Sequence, residues 1–159
     1  MSILKFVNHN NRTLEELETY LTNPDKTAPD LIIGFGVDPY NFVEQASFAA
    51  SLYECNISLL SYWHIILSFN SDVLEKVSID SVKEIVTRVG HLFCSNHQVL
   101  AVIHTDKPNI HAHYCINAVG IDGKQFRQGQ SLYTYKQIVN QILQQYGLSP
   151  IYCYSGQPA

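Results

Sequence analysis

The sequence predicts an α+β domain, a largely antiparallel sheet with helices packed on one face. Three observations lead there. Residues 59–69 (LLSYWHIILSF) alternate like a strand, with Trp63, Ile65, Leu67 and Phe69 on one face and His64, Ile66 and Ser68 on the other. Residues 79–93 instead repeat at helical spacing, through Ile79, Val82, Val86, Val89 and Phe93. The order along the chain, β-α-α-β-α-β-β-β-α-β, joins neighbouring strands directly, which an antiparallel sheet allows. The face without helices would then be free to hold a site.

The elements follow in order. Residues 2–8 read as a first strand. Thr13 to Glu16 (TLEE) is a capping box, with Thr13 able to cap and Glu16 to reach back. The helix it opens runs to about Thr22 with Leu14, Leu17 and Leu21 as its apolar stripe, and Asn23-Pro24 stops it. "TAPDLIIGFGVDP" reads as a loop with two glycines, followed by a second helix from about Pro39 to Cys55. After the strand at 59–69 and the helix at 79–93 come strands at about 98–104 and 111–119. "GIDGKQF" turns at Asp122-Gly123 into a short strand. The last helix, about 133–146, should bury Ile138, Ile142 and Leu143 and end at Gly147, a left-handed cap. "PIYCY" reads as a closing strand.

Length and composition limit the class. The 159 residues suit one domain, 1–159, with a real core, and 46% hydrophobic residues are ordinary for a globular chain. No apolar run approaches the roughly 20 residues of a membrane span, and the start lacks the zones of a signal peptide. The expectation is a cytoplasmic protein with no membrane partner. Cys55, Cys94, Cys115 and Cys153 are scattered without a CxxC pair and read as reduced, mainly buried thiols. A net charge of −4 with 10 Lys plus Arg argues against gripping duplex DNA chiefly through phosphates. It leaves room for a small, locally basic or metal-centred nucleic-acid site.

The chemistry concentrates in "HTDKPNIHAHYCIN", His104 to Asn117, which holds three of seven histidines. On a strand, residues two apart share a face, so His111 and His113 point the same way, with Cys115 and Asn117 continuing that face. His104 ends the preceding strand. With neighbouring strands about 4.8 Å apart, it can reach the pair, and three imidazoles can meet one ion at about 2.1 Å each. Three neutral ligands leave coordination positions open, as catalytic metal sites require. Asp106 is a candidate acceptor for an imidazole N–H behind the ligands.

The same stretch resembles the third motif, H-x-D-x-x-x-x-H-x-H-x-x-x-N, of the relaxases that mobilise plasmids and transposons, members of the histidine-hydrophobe-histidine (HUH) endonucleases. Three further segments are similar to that family's, in its order: "YLTNPDKT" (Tyr20–Thr27) to Y-x-x-N-P-x-K-T, "WHIILSF" (Trp63–Phe69) to H-x-x-x-S-F, and "YGLSPI" (Tyr146–Ile151) to H-G-L-S. The resemblance spans nearly the whole chain and implies a five-stranded antiparallel sheet with helices. It implies nicking of single-stranded origin-of-transfer DNA by transesterification in conjugation or mobilisation, leaving a 5′-phosphotyrosyl link and a free 3′-hydroxyl.

Carried over by position, the nucleophile would be Tyr20, the metal ligands His104, His111 and His113, and a substrate contact Ser68. His64 shares the face of Ser68, while Lys26 and Lys107 are the cations nearest the motifs, so all three are candidate substrate contacts. Asn117 is a candidate supporting residue with Asp106. The cofactor would be a divalent metal, Mn²⁺ or Mg²⁺, with Zn²⁺ also compatible. Partners would be single-stranded DNA or the origin hairpin, with auxiliary relaxosome proteins and a coupling protein. A tyrosine phenol, with an ordinary pKa near 10, needs such a cation or a base to attack at neutral pH. The chain departs from the family in two places. Residues 42–63 carry no basic residue, and Leu67 stands where a glutamine commonly precedes Ser-Phe. Two other readings remain open: a DNA-binding or regulatory module that does not nick, and a metal-dependent phosphoester hydrolase.

Overall fold

Five short runs of strand-forming residues pair into one antiparallel sheet: β1 (Ile3–Phe6), β2 (Ile32–Phe35), β3 (Tyr62–Ser68), β4 (Val99–His104) and β5 (His111–Asn117). Their order across the sheet is β1-β3-β5-β4-β2, so the histidine-bearing β5 is central. The structure, a computed structural model, describes residues 2–7, 11–53 and 61–151. Cys55, Cys153 and parts of the expected elements at 2–8, 39–55, 59–69 and 150–154 lie outside the described residues. Cys94 and Cys115 are free thiols, half-buried and buried.

The expectation of helices on one face is corrected: they cover both. On one face α4 (Ile79–Gly90) and α5 (Leu132–Gln145) pack Val82, Val86, Val89 and Leu143 onto Leu4, Ile65, Leu67, Ala101, Ile103, Ala112 and Tyr114. On the other, α1 (Leu14–Leu21) and α2 (Phe42–Ser51) set Leu14, Leu17, Leu21, Phe42 and Ala46 against Tyr62, Leu100, Val102 and Cys115. Strand alternation produces this split, since odd and even residues of each strand feed different layers. The second layer covers only part of its face. The histidines of β5 lie near the end of α1, with His113 buried against Tyr20.

The capping box forms as read: Glu16 N–H bonds Thr13 Oγ1 at 3.1 Å and Thr13 N–H bonds Glu16 Oε2 at 3.0 Å. The stretch expected as a loop holds β2, preceded by a 3-10 turn at Pro29–Leu31. Gly34 makes this strand possible, because a Cβ there would lie 2.2 Å from the Val37 carbonyl oxygen. A short helix, α3 (Val73–Lys76), was also unexpected. The strand expected after Asp122-Gly123 reduces to one bridge, Val119 to Gln125, around a turn with Gly123 at φ +81°. In α5 the buried residues are Tyr135, Val139, Ile142 and Leu143, with Ile138 half-buried instead. Gly147 has the expected left-handed φ of +70°. Pro150 and Ile151 form no strand; Asn140 brackets Ile151 through both its amide oxygen and nitrogen.

Candidate metal centre

Register brings the three histidines together. His104 and His111 face each other directly across β4 and β5, and His113 lies one side-chain step along the same face, opposite Val102. Ring centroids are 4.4 Å apart for His104 and His113, 5.0 Å for His111 and His113, and 5.2 Å for His104 and His111. One ligand atom from each lies within 4.8 Å of the others. Two nitrogen–metal bonds span at most about 4.2 Å, so small ring rotations close the cage on an ion.

Hydrogen bonds fix which nitrogens face inward. His104 donates its Nε2–H to the Leu21 carbonyl at 2.7 Å, and His111 donates its Nδ1–H to the Asn109 carbonyl at 3.0 Å. His113 Nδ1 lies 2.8 Å from His64 Nε2. The opposite nitrogens of the two buried rings, His104 Nδ1 and His113 Nε2, are buried without any partner. A buried polar atom left unpaired costs about 1–3 kcal/mol, so two of them aimed into one cluster fit an absent ligand atom or ion. This donor set suits a divalent cation: three imidazoles, each with its second ring nitrogen tied back.

Burial keeps His113 and His104 neutral and ready to ligate. It pushes His113 down to about 2, with the neighbouring histidines and Lys26 adding to the effect. It pushes His64 down to about 4, aided by the charges of Arg12 and Lys5. His104 is also lowered, chiefly by burial and against the Leu21 hydrogen bond.

The other expected site residues are placed unevenly. Tyr20, half-buried near the end of α1, sets its ring edge-on to His104 and His113, with centroids 5.9 and 6.1 Å away. The residue after it, Leu21, supplies the carbonyl that holds His104. The segment after α1 explains its own residues. Asn23 Oδ1 takes the Asp25 N–H at 2.9 Å, and Thr27 Oγ1 donates to the Ile103 carbonyl at 2.7 Å. Thr105 N–H bonds the Lys26 carbonyl at 2.8 Å, which leaves Lys26 Nζ 4.4 Å from the Tyr20 ring centroid.

Ser68 sits on β3 directly opposite His111, half-buried on the histidine face. His64 stands behind His113 as its hydrogen-bond partner. Asp106 and Lys107 are exposed in the β4–β5 connection. Asp106 reaches His104 only as a charge, and the places expected of it behind the imidazoles are taken by Leu21, Asn109 and His64. Asn117 is not with the trio. It lies four residues beyond His113, roughly 13 Å along the strand, where its Nδ2 bonds the Ala46 carbonyl and Gln98 Oε1, both at 3.1 Å.

Sequence reasoning missed the two carbonyls, which no side-chain pattern reveals. It also missed Arg12, whose guanidinium carbon lies 4.1 Å over the Tyr20 ring.

Among the described residues no helix is long and apolar enough to cross a membrane. The family model for the relaxase nuclease domain of MobA/VirD2-like type matches residues 20–148. No curated protein sequence matches. Among solved structures, the MobM relaxase domain (MOBV; Mob_Pre) bound to plasmid pMV158 oriT DNA, manganese-bound at pH 6.8, aligns with TM-score 0.66 and 12% identity. That alignment covers 99% of this chain and 93% of that one. The manganese-bound structure of the same domain with 22-nucleotide oriT DNA at pH 5.5 gives TM-score 0.65 and 13% identity, covering 99% and 93%. At these identities the likeness is one of fold: a five-stranded antiparallel sheet with helices.

Proposed function

This chain belongs to the relaxase family, in the nuclease domain of the MobA/VirD2-like type, and from that premise we propose that it nicks one strand of origin-of-transfer DNA by tyrosine transesterification. The observation that carries the reading is the set of inward-facing imidazole nitrogens, two of them buried and partnerless, with the Tyr20 ring edge-on beside them. The manganese and the oriT DNA in the MobM structures support the same choice of cation class and substrate.

His104, His111 and His113 would hold a divalent cation, Mn²⁺ or Mg²⁺. A cation held there would supply positive charge to polarise a non-bridging phosphate oxygen and offset the charge that builds during phosphoryl transfer. Leu21, Asn109 and His64 keep each imidazole in the tautomer that presents a lone pair inward. Tyr20 is the nucleophile. Its oxygen bonds phosphorus as the bond from phosphorus to the 3′-oxygen breaks, and the released 3′-hydroxyl carries the proton that the phenol gives up in net balance. The phosphotyrosyl ester conserves the phosphodiester energy, so the strand can be rejoined without a nucleotide triphosphate. Lys26, over the Tyr20 ring, and Ser68, across from His111, would contact the phosphate backbone, a role their closeness to the trio and Tyr20 supports. Lys107, exposed in the β4–β5 connection, would be a further contact for DNA passing along that edge.

We read the chain as one domain working in the cytoplasm, with auxiliary relaxosome and coupling proteins as partners. The test incubates the protein with single-stranded oligonucleotides from the element's own transfer origin and Mn²⁺, then separates the products on a denaturing gel. A protein-linked DNA band is expected, lost in Tyr20→Phe while Mn²⁺ binding stays unchanged. Binding without any covalent product would favour a module that does not nick. Turnover surviving Tyr20→Phe would favour a hydrolase.

A further inference from the structure

The sequence carries only 10 Lys and Arg, yet its fold gathers three of them at one place. Lys5 and Arg12 line a cleft of about 390 Å³ together with Tyr20, Tyr62, His64 and His113, and Lys26 Nζ lies 4.4 Å from the centroid of the same Tyr20 ring. The cleft opens beside the histidine trio on the face of the sheet that α1 leaves uncovered. Its size is that of a small-ligand site.

The two cations are held there by unrelated parts of the chain. Lys5 projects from β1 on the histidine face, because its register partner Ile66 pairs in turn with His113. Arg12 is fixed from three sides. The hydroxyl of Tyr62, on a strand 50 residues away, donates to the Arg12 carbonyl at 2.8 Å. The next residue, Thr13, is locked into the capping box of α1. The guanidinium itself stacks over Tyr20 at 4.1 Å. Both side chains are exposed, and among the described residues neither has a carboxylate at ion-pair distance; the ion pairs there are Lys76–Asp72 and Lys83–Asp30, elsewhere on the surface. Two unpaired cations with aromatic walls are the combination by which proteins hold single strands, phosphate on charge and base on ring.

We propose that the Lys5–Arg12 cleft is a nucleotide subsite, binding the phosphate next along the single strand from the one at the histidine trio, with its base against the tyrosine wall. This rests on the relaxase reading and supplies what the acidic composition lacks. The charge that grips DNA is focused in one cleft, so low overall basicity and strand binding are compatible. Arg12 then has two tasks: it presents donors to that phosphate and braces the Tyr20 ring that must reach the adjoining one.

The test titrates a fluorescein-labelled single-stranded oligonucleotide of mixed sequence, without added metal, across a range of salt concentrations. Lys5→Ala/Arg12→Ala is compared with wild type and with Lys124→Ala, an exposed lysine in the distant 120–126 turn. Losing the one phosphate that the two cations hold should reduce the slope of log affinity against log salt by about 0.7. Affinity at low salt should fall at least tenfold. Lys124→Ala should leave both unchanged, and Arg12→Lys should restore the slope but not the full rate of covalent attachment to origin DNA, since lysine keeps the charge and loses the stack. Thermal melts and Mn²⁺ titration, expected unchanged in the double variant, confirm that the fold and the metal centre are intact. Wild-type binding with an unaltered slope and affinity in the double variant overturns the subsite alone. Wild type that binds no single strand overturns the relaxase reading as well.

Discussion

Replacing His64 by phenylalanine isolates what holds the metal centre in shape. His64 lies 2.8 Å from His113 Nδ1, in a pocket where both rings are kept neutral by burial. For His113 Nε2 to offer a lone pair, its proton must sit on Nδ1, and His64 Nε2 must accept it. Phenylalanine fills similar space but accepts nothing. The Nδ1–H is then stranded at a cost of about 1–3 kcal/mol, or the proton moves to Nε2 and blocks the ion. Either way Mn²⁺ affinity should drop about 10- to 100-fold, equivalent to about 1.4–2.7 kcal/mol. Titration followed by the electron paramagnetic resonance of free Mn²⁺ reads this without any catalytic step. His64→Gln, whose amide oxygen can accept the same proton, should recover part of the loss. Mn²⁺ binding by His64→Phe at wild-type strength would refute the argument, and recovery in His64→Leu equal to that in His64→Gln would show that only volume matters there.

Two further outcomes follow from the same geometry. In the unfolded chain each imidazole takes up a proton below about pH 6.5, whereas in the metal-free fold His64 and His113 resist protonation down to about 4 and about 2. Below pH 6.5 the unfolded state therefore binds more protons, and stability falls with pH by up to about 1.4 kcal/mol per unit for each such ring. Melting temperatures of metal-free protein should decline from neutral pH downward; a flat acid limb would contradict the buried neutral rings. Gly90→Ala in α4 should destabilise, because its methyl group would stand 2.3 to 2.9 Å from three atoms of the Phe35 ring, which is itself edge-packed on His91. Overpacking of about 1–3 kcal/mol outweighs the helix-propensity gain of about 1 kcal/mol. A raised melting temperature would show that Phe35 moves aside freely.

What the sequence made legible was whatever depends on period. The two-residue repeat of "HAH" placed His111 and His113 on one face, and the strand-turn-strand pattern put His104 within reach. The Leu14–Leu17–Leu21 stripe and its capping box likewise needed only local rules. The layer a helix joins is not a local property, so an apolar stripe on α1 does not say which face of the sheet it will cover. β2 was hidden because "LIIGF" is short and carries a glycine inside it, and its strand character comes from pairing with β4, with the Val37 carbonyl too close to Gly34 for a side chain there. Asp106 drew attention by nearness in sequence, but the partners of the imidazoles are the Leu21 and Asn109 carbonyls and the His64 ring. Arg12 carried no signal at all, since its position is set by a tyrosine 50 residues on.

The bond from His104 to the Leu21 carbonyl has a mechanical meaning. One end of that bond belongs to the cage, and the other belongs to the residue joined covalently to Tyr20. In the mechanism proposed above, the spacing between attacking oxygen and cation would therefore be a gauge length built into the chain. Adding one residue to α1 before Tyr20 would rotate the phenol by about 100° around the helix axis and take the gauge out of calibration, although every side chain of the site would still be present.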